Sequence, residues 1–178
     1  MSRADEKVNI KLISPTVSMK KAVLDYKEEH LSYGEKEISG SAHLDQTESY
    51  EEWLEFVQKN RSEETVDPDW VLSDVFFAVD ETGQIVGVTD LRYYLNDFLQ
   101  DYGNCGYSVR PSERGKGYAA EMLRQIIEKA REAGMRKLHM ATFQDNYPSV
   151  HTILKNGGEW ERSFVAEGRM ADMYRIML

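Results

Sequence analysis

Hydrophobic and polar residues alternate from Val8 to Ile13, the two-residue period of a half-buried strand, and Ser14-Pro15 ends it. Val17, Leu24 and Leu31 then recur one heptad apart, which predicts a helix over residues 17–31. Residues 33–45 hold two glycines and show no period, so they are expected to be loop. Tyr50, Trp53, Leu54 and Val57 fall at i, i+3, i+4 and i+7 of a second helix, with Thr47 or Asp45 able to cap its start. Its other face, Glu48, Glu51, Glu52 and Glu55, is expected to meet solvent. Two β-rich runs, Val75–Val79 and Ile85–Leu91, flank a turn with Gly83 and predict a hairpin. An irregular, aromatic-rich stretch from Tyr93 to Tyr102 leads to a short strand, Cys105–Val109. Ala119, Leu123, Ile126, Ile127 and Ala130 trace a long helical stripe that Gly134 stops. A strand over Leu138–Phe143, a short helix opened by Pro148 and stopped by Gly157-Gly158, and strands over Glu159–Val165 and Arg169–Met177 complete the chain. The order β-α-α-β-β-β-α-β-α-β-β predicts an α+β or mixed α/β domain on one central sheet.

Composition narrows the class. The chain has 178 residues, about one domain's worth. With 41% hydrophobic and 30% charged residues and only 4 prolines, it is neither disordered nor low-complexity. One cysteine, Cys105, excludes an internal disulfide and any CxxC metal or redox site, so no metal is expected. No apolar run approaches the ~18 residues of a membrane span, and the polar start, Met1 to Lys7, lacks a signal peptide's apolar stretch. A cytoplasmic protein with no membrane partner is expected. The net charge of -9 argues against a nucleic-acid partner, which needs a basic surface. Within it, Tyr107–Lys137 carries eight Lys or Arg against four Glu, leaving -13 on the rest. A basic stretch in an acidic chain suits an anionic ligand, or is simply a solvated helix face.

The chemistry concentrates in a strand–loop–helix: Tyr107-Ser108-Val109, then Arg114-Gly115-Lys116-Gly117-Tyr118-Ala119, then the long helix. Glycines let the backbone approach a ligand closely. The first turn's unpaired N–H groups and the positive end of the helix dipole favour an anion, with two cations beside it. A pyrophosphate is the natural guest; an ordinary glycine turn is the plain alternative. A P-loop fails because Gly117 follows Gly115-Lys116 where Ser or Thr is needed after Gly-Lys. Gly115-x-Gly117-x-x-Ala120 fits a dinucleotide fingerprint, with Asp145 further on, but too few elements remain to finish that fold.

Arg114-x-x-Gly117-x-Ala119 resembles the acyl-CoA pyrophosphate loop of the GNAT superfamily of N-acetyltransferases, Gln/Arg-x-x-Gly-x-Gly/Ala. The strand ending Val109-Arg110-Pro111, and Asn146-x-x-Ser149 opening a short helix closed by Lys155-Asn156-Gly157-Gly158, extend the likeness over Tyr107–Gly158. The stretch looks like bacterial predicted acetyltransferases without an assigned substrate. The resemblance implies a single GNAT-like acyl-CoA N-acyltransferase domain over residues 1–178. It also implies a mixed central sheet of about seven strands flanked by about four helices, with the acetyl-CoA-binding core at about 103–158. It implies acetyl-CoA as cosubstrate, held by Tyr107, Val109, Arg114, Gly115, Lys116, Gly117, Tyr118, Ala119, Asn146 and Ser149. A small-molecule or peptide amine would attack directly while the Val109 N–H polarises the thioester carbonyl. Many members carry a Tyr seven residues past the Asn to protonate the leaving thiolate; here Ile153 stands there, leaving Tyr147, His151 or water. Asp90 is the candidate base, and with Arg92 and Asn96 a candidate for the acceptor side. Cys105 and His139 are expected to be packed rather than catalytic. A non-catalytic acyl-CoA-binding or regulatory protein is the alternative, a dinucleotide enzyme the more distant one. The sequence leaves a homodimer open.

Overall fold

In the computed structural model, which describes residues 7–178, the alternating N-terminal segment becomes β1 (Ile10–Ile13). The polar residues 1–6 lie outside the described residues. A single 3₁₀ turn, Val17–Met19, leads into α1 (Lys20–Ser32). The heptad stripe predicted for this helix is the wrong face. Val17, Leu24 and Leu31 are exposed, while Val23, Tyr26 and His30 are buried. A histidine reads as polar, yet here it enters the core because Glu35 Oε2 meets its Nδ1 at 2.7 Å.

The second helix, α2 (Tyr50–Lys59), buries Tyr50, Trp53, Leu54 and Val57 as its period predicts. Ser49 caps it, its hydroxyl accepting the Glu52 N–H at 3.2 Å. Thr47, expected as a cap, instead donates to the Ser49 carbonyl. The hairpin is β2 (Ser73–Asp80) and β3 (Ile85–Arg92), its turn knitted by Asp80 Oδ1 accepting the N–H groups of Thr82 and Gln84. β4 (Tyr107–Val109), α3 (Tyr118–Glu132), β5 (Lys137–Phe143), α4 (Tyr147–Lys155), β6 (Glu159–Ala166) and β7 (Arg169–Met177) follow. The element order is the predicted one.

The seven strands do not form one mixed sheet. They split into two, β1-β2-β3-β4 and β5-β7-β6, with every pairing antiparallel among the described residues. β4 and β5 do not pair, and the chain leading into β4 meets β5 only at its base. There Gly103 bridges Met140, and the Asn104 N–H donates to the His139 carbonyl at 2.7 Å. α1 and α2 cover one face of the first sheet through Tyr26, Trp53, Leu54, Phe77 and Val88. On the other face Leu123, Ile126, Ile127 and Ile153 pack on Leu91, Leu138, Met140 and Ile176, so this core joins the two sheets. Each such large side chain contributes about 1.5–3 kcal/mol on burial, which anchors α3 firmly. No helix among the described residues is long and apolar enough to cross a membrane.

Candidate active site

The parting of β4 from β5 leaves backbone groups without a ladder. Arg110 N–H donates to Val86 O at 2.7 Å and Asp90 N–H to Gly106 O at 3.2 Å. Alternation along an antiparallel pair therefore assigns Gly106, Ser108 and Arg110 to β3 and turns the N–H and C=O of Tyr107 and Val109 toward the gap. One of these is already used: Val109 C=O accepts from Arg114 Nε at 3.2 Å. The gap is a wedge, closed at Gly103–Asn104 and open toward Val109 and Phe143.

At the open end stands the N-terminus of α3. Gly117 precedes the helix with φ 90°, left-handed backbone that a side chain strains, and a Cβ built there would meet nothing within 4 Å. The same holds at Gly115, φ 78°. The loop thus leaves open space in front of the first-turn N–H groups of Tyr118 and Ala119, which have no intrahelical acceptor. Asn156 at the end of α4 ties this turn down, donating to the Ala120 carbonyl at 3.3 Å.

The two cations expected beside the anion are partly committed. Arg114 makes a bidentate pair with Glu35, at 2.5 and 2.9 Å, and Lys116 pairs with Glu113 at 2.6 Å. The Arg114 guanidinium holds the Glu35 carboxyl below the usual carboxylate range. Glu35 also takes the Nδ1 contact of His30, whose pKa burial lowers against the pull of that carboxylate. Glu35 lies 79 residues from Arg114 in an unpatterned loop, and nothing local in the sequence marks it.

Asn146 caps α4, its side chain accepting the Ser149 N–H at 3.3 Å. The Ser149 hydroxyl in turn meets the Tyr107 hydroxyl at 2.9 Å, so β4 and α4 are joined across the wedge. Burial pushes the Tyr107 phenol up to about 12. Tyr147 and His151, one turn apart, are both exposed on α4, Tyr147 at 75%. Ile153 is fully buried, and its Cγ2 lies 2.4 Å from where a Gly158 Cβ would sit. Glycine at 158 thus leaves the room that the Ile153 side chain fills.

Asp90 lies on the opposite face of β3 from Tyr107's partner Thr89, so the sheet separates them. It is 2% exposed, and both oxygens are engaged: Oδ2 accepts from Arg92 Nε at 2.7 Å, and Oδ1 from the Gly106 N–H at 2.7 Å. An engaged, buried carboxylate is a structural ion pair, and the expectation of a base there is corrected. Asn96 caps a turn, accepting the Leu99 N–H. His139 contacts Glu161 at 3.0 Å on β5. Cys105 is buried, its thiol pushed up to about 12 by desolvation.

An open strand edge leading to a glycine cradle at a helix N-terminus is the geometry of an acyl-CoA site. The sequence agrees: the model of the Acetyltransferase (GNAT) family matches residues 42–157. The chain belongs to the GNAT acetyltransferase family. Among curated proteins no match is found. Solved structures share the fold. The Salmonella typhimurium protein yncA with its cofactor acetyl-CoA has a TM-score of 0.67 at 15% identity, over 94% of this chain and 93% of that one. A GnaT-family protein from Bordetella pertussis gives 0.68 at 12%, over 93% and 94%. A spermidine N-acetyltransferase chimera of Vibrio cholerae SpeG and hSSAT gives 0.65 at 16%, over 94% and 95%. Among the described residues of this GNAT protein, no group of three or more His, Cys, Asp or Glu is arranged to hold a metal.

Proposed function

We propose that this GNAT protein moves an acetyl group from acetyl-CoA to a primary amine by direct attack, both substrates being bound together. The unpaired edge of β4 running into the Gly115–Gly117 cradle carries this reading. The N–H groups around Gly115, Lys116, Gly117, Tyr118 and Ala119 would take the pyrophosphate, assisted by the α3 dipole. Tyr107 N–H and C=O, with Asn146 and Ser149 opposite, would take the pantetheine arm. The Val109 N–H faces the wedge and is the group that would polarise the thioester carbonyl as charge develops on its oxygen. Holding amine and thioester together supplies much of the rate. The amine must arrive neutral, and with Asp90 locked in its ion pair, water is the acceptor of its proton. A cationic acceptor, of the kind that the spermidine enzyme's name specifies, suits the excess of acidic residues outside the acetyl-CoA segment.

The test is CoA release from acetyl-CoA over a panel of polyamines, aminoglycosides, lysine and peptide N-termini, with Gly117→Val as control. Amine-dependent release is expected, and Gly117→Val should lose at least about tenfold in acetyl-CoA affinity, since a side chain would fill the cradle. Binding of acetyl-CoA without release for any amine would make the chain a binder, the reading that Ile153 favours. Near-normal affinity in folded Gly117→Val would remove the phosphate-loop assignment.

A further inference from the structure

The Val109 N–H belongs to the peptide unit that joins Ser108 to Val109, with the N–H turned to the wedge and the Ser108 C=O turned to β3. Ser108 pairs with Val88 across the ladder, yet its carbonyl has a second donor. From α1 the Tyr26 hydroxyl donates to the Ser108 oxygen at 3.1 Å. Tyr26 is fully buried in the core under α1, which also holds Phe77 and Val88. The Arg110 guanidinium lies 5.4 Å from its ring centroid, and His30 meets the ring edge-on at 4.7 Å. Burial pushes the phenol's pKa up, so the hydroxyl keeps the proton it donates. The next carbonyl along, that of Val109, is fixed by Arg114 Nε at 3.2 Å. Both carbonyls that bracket the Val109 N–H are thus held by side chains from outside the sheet.

Resting on the acetyl-transfer reading above, we infer that Tyr26 is a positioning residue for the Val109 N–H. Its hydroxyl fixes and polarises the peptide that would meet the charge developing on the thioester oxygen. A hydrogen bond accepted by an amide oxygen draws electron density from the nitrogen, which makes the N–H of the same unit a stronger donor. The phenol is locked in the core, so the peptide keeps its orientation as the charge develops. Tyr26 acts through Ser108 and meets neither substrate. The stronger donor matters more to an oxygen that carries charge than to the neutral thioester, so the effect falls on the rate and not on the affinity. Losing one oxyanion donor costs about 10²–10³ in rate. One added hydrogen bond strengthens its neighbour by roughly 10–30%. That fraction of the loss, on the logarithmic scale, is about two- to eightfold.

The test uses the full chain with the best amine of the panel at saturation. CoA release is followed in a single turnover, so that product release does not mask the transfer step. Tyr26→Phe removes the hydroxyl and keeps the ring. It should slow transfer by about two- to eightfold while acetyl-CoA affinity, measured by calorimetry, stays near that of the wild type. Tyr50→Phe is the control, since it deletes a like bond from α2 to the Thr16 carbonyl, 2.6 Å long, and should leave the transfer rate unchanged. In amide NMR spectra the Val109 proton should move upfield in Tyr26→Phe and stay in place in Tyr50→Phe, a signature that a purely structural hydroxyl would not give. An unchanged transfer rate in Tyr26→Phe, a slowing that Tyr50→Phe shares, an unmoved Val109 amide, or a loss of affinity in place of rate overturns the assignment alone. A wild type that releases no CoA with any amine overturns it together with the reading on which it rests.

Discussion

Cys105 lies two residues before Tyr107 on the same face of the strand, and its surroundings decide what it can do. A thiol must ionise to act as a nucleophile, and one pushed up to about 12 by burial is protonated at neutral pH. No histidine is placed to take its proton; the nearest polar atoms are the Thr89 hydroxyl and the Gly106 carbonyl, each 3.6 Å away. A covalent acetyl-cysteine therefore has no route to form. Cys105→Ala is expected to keep most of its kcat, at a stability cost of about 1 kcal/mol for lost packing. Mass spectrometry of rapidly quenched reactions checks this: acetylated Cys105 on the reaction path, with activity abolished in the variant, would contradict it. Asp90 differs from Cys105 in being charged, but the logic is the same. Asp90 is 2% exposed, and three hydrogen bonds from Arg92 and the Gly106 N–H already occupy its oxygens.

At the scale of elements, the end of α1 is clamped to the loop after β4. Glu35 joins His30 to Arg114, and Glu29 accepts from the Ser112 hydroxyl at 2.7 Å and lies 3.7 Å from Arg110. An ion pair has no net charge, so Arg114 beside Glu35 attracts phosphate weakly, whereas its Nε still fixes the Val109 carbonyl. Arg114→Ala is thus expected to weaken acetyl-CoA and an acetyl-pantetheine fragment by the same factor. Being a partly exposed pair worth about 0–1 kcal/mol, that factor is up to about fivefold. A loss confined to acetyl-CoA and growing as salt is lowered would instead assign Arg114 to the phosphates. The cradle was readable from the sequence because Gly115, Gly117 and the α3 stripe are local patterns. The clamp was not, since Glu35 and Arg114 meet only through the tertiary fold. The buried face of α1 is hidden for a similar reason: Leu24 and Leu31 outweigh His30 in any hydrophobic count, although the burial of His30 rests on a partner outside the helix. β3, buried on both faces, carries no alternation that could have shown on which side Asp90 lies.

Across the whole molecule, the two sheets are joined by the shared core under α3 and α4 and by the short bridge at Gly103–Asn104, and the wedge between β4 and β5 is left open. A ligand lying along β4 would pair the edge groups of Tyr107 and the Val109 N–H, which take no part in the ladder with β3, and so stabilise the folded chain. The two cations nearest the cradle, Arg114 and Lys116, are each paired with a glutamate, so little unpaired charge faces the donor's phosphates there. Backbone geometry rather than net charge must then select the donor. A ligand at 100 times its Kd adds about 2.7 kcal/mol of stability. In a protein of this size each kcal/mol is worth about 2–4 °C. Acetyl-CoA should therefore raise Tm by about 5–10 °C, and CoA nearly as much, since both carry the arm that lies along β4. NAD carries a pyrophosphate but no such arm, and is expected to leave Tm almost unchanged in differential scanning fluorimetry. Equal shifts from NAD and acetyl-CoA would mean that the glycine cradle alone does the binding and that the free edge of β4 plays no part in it.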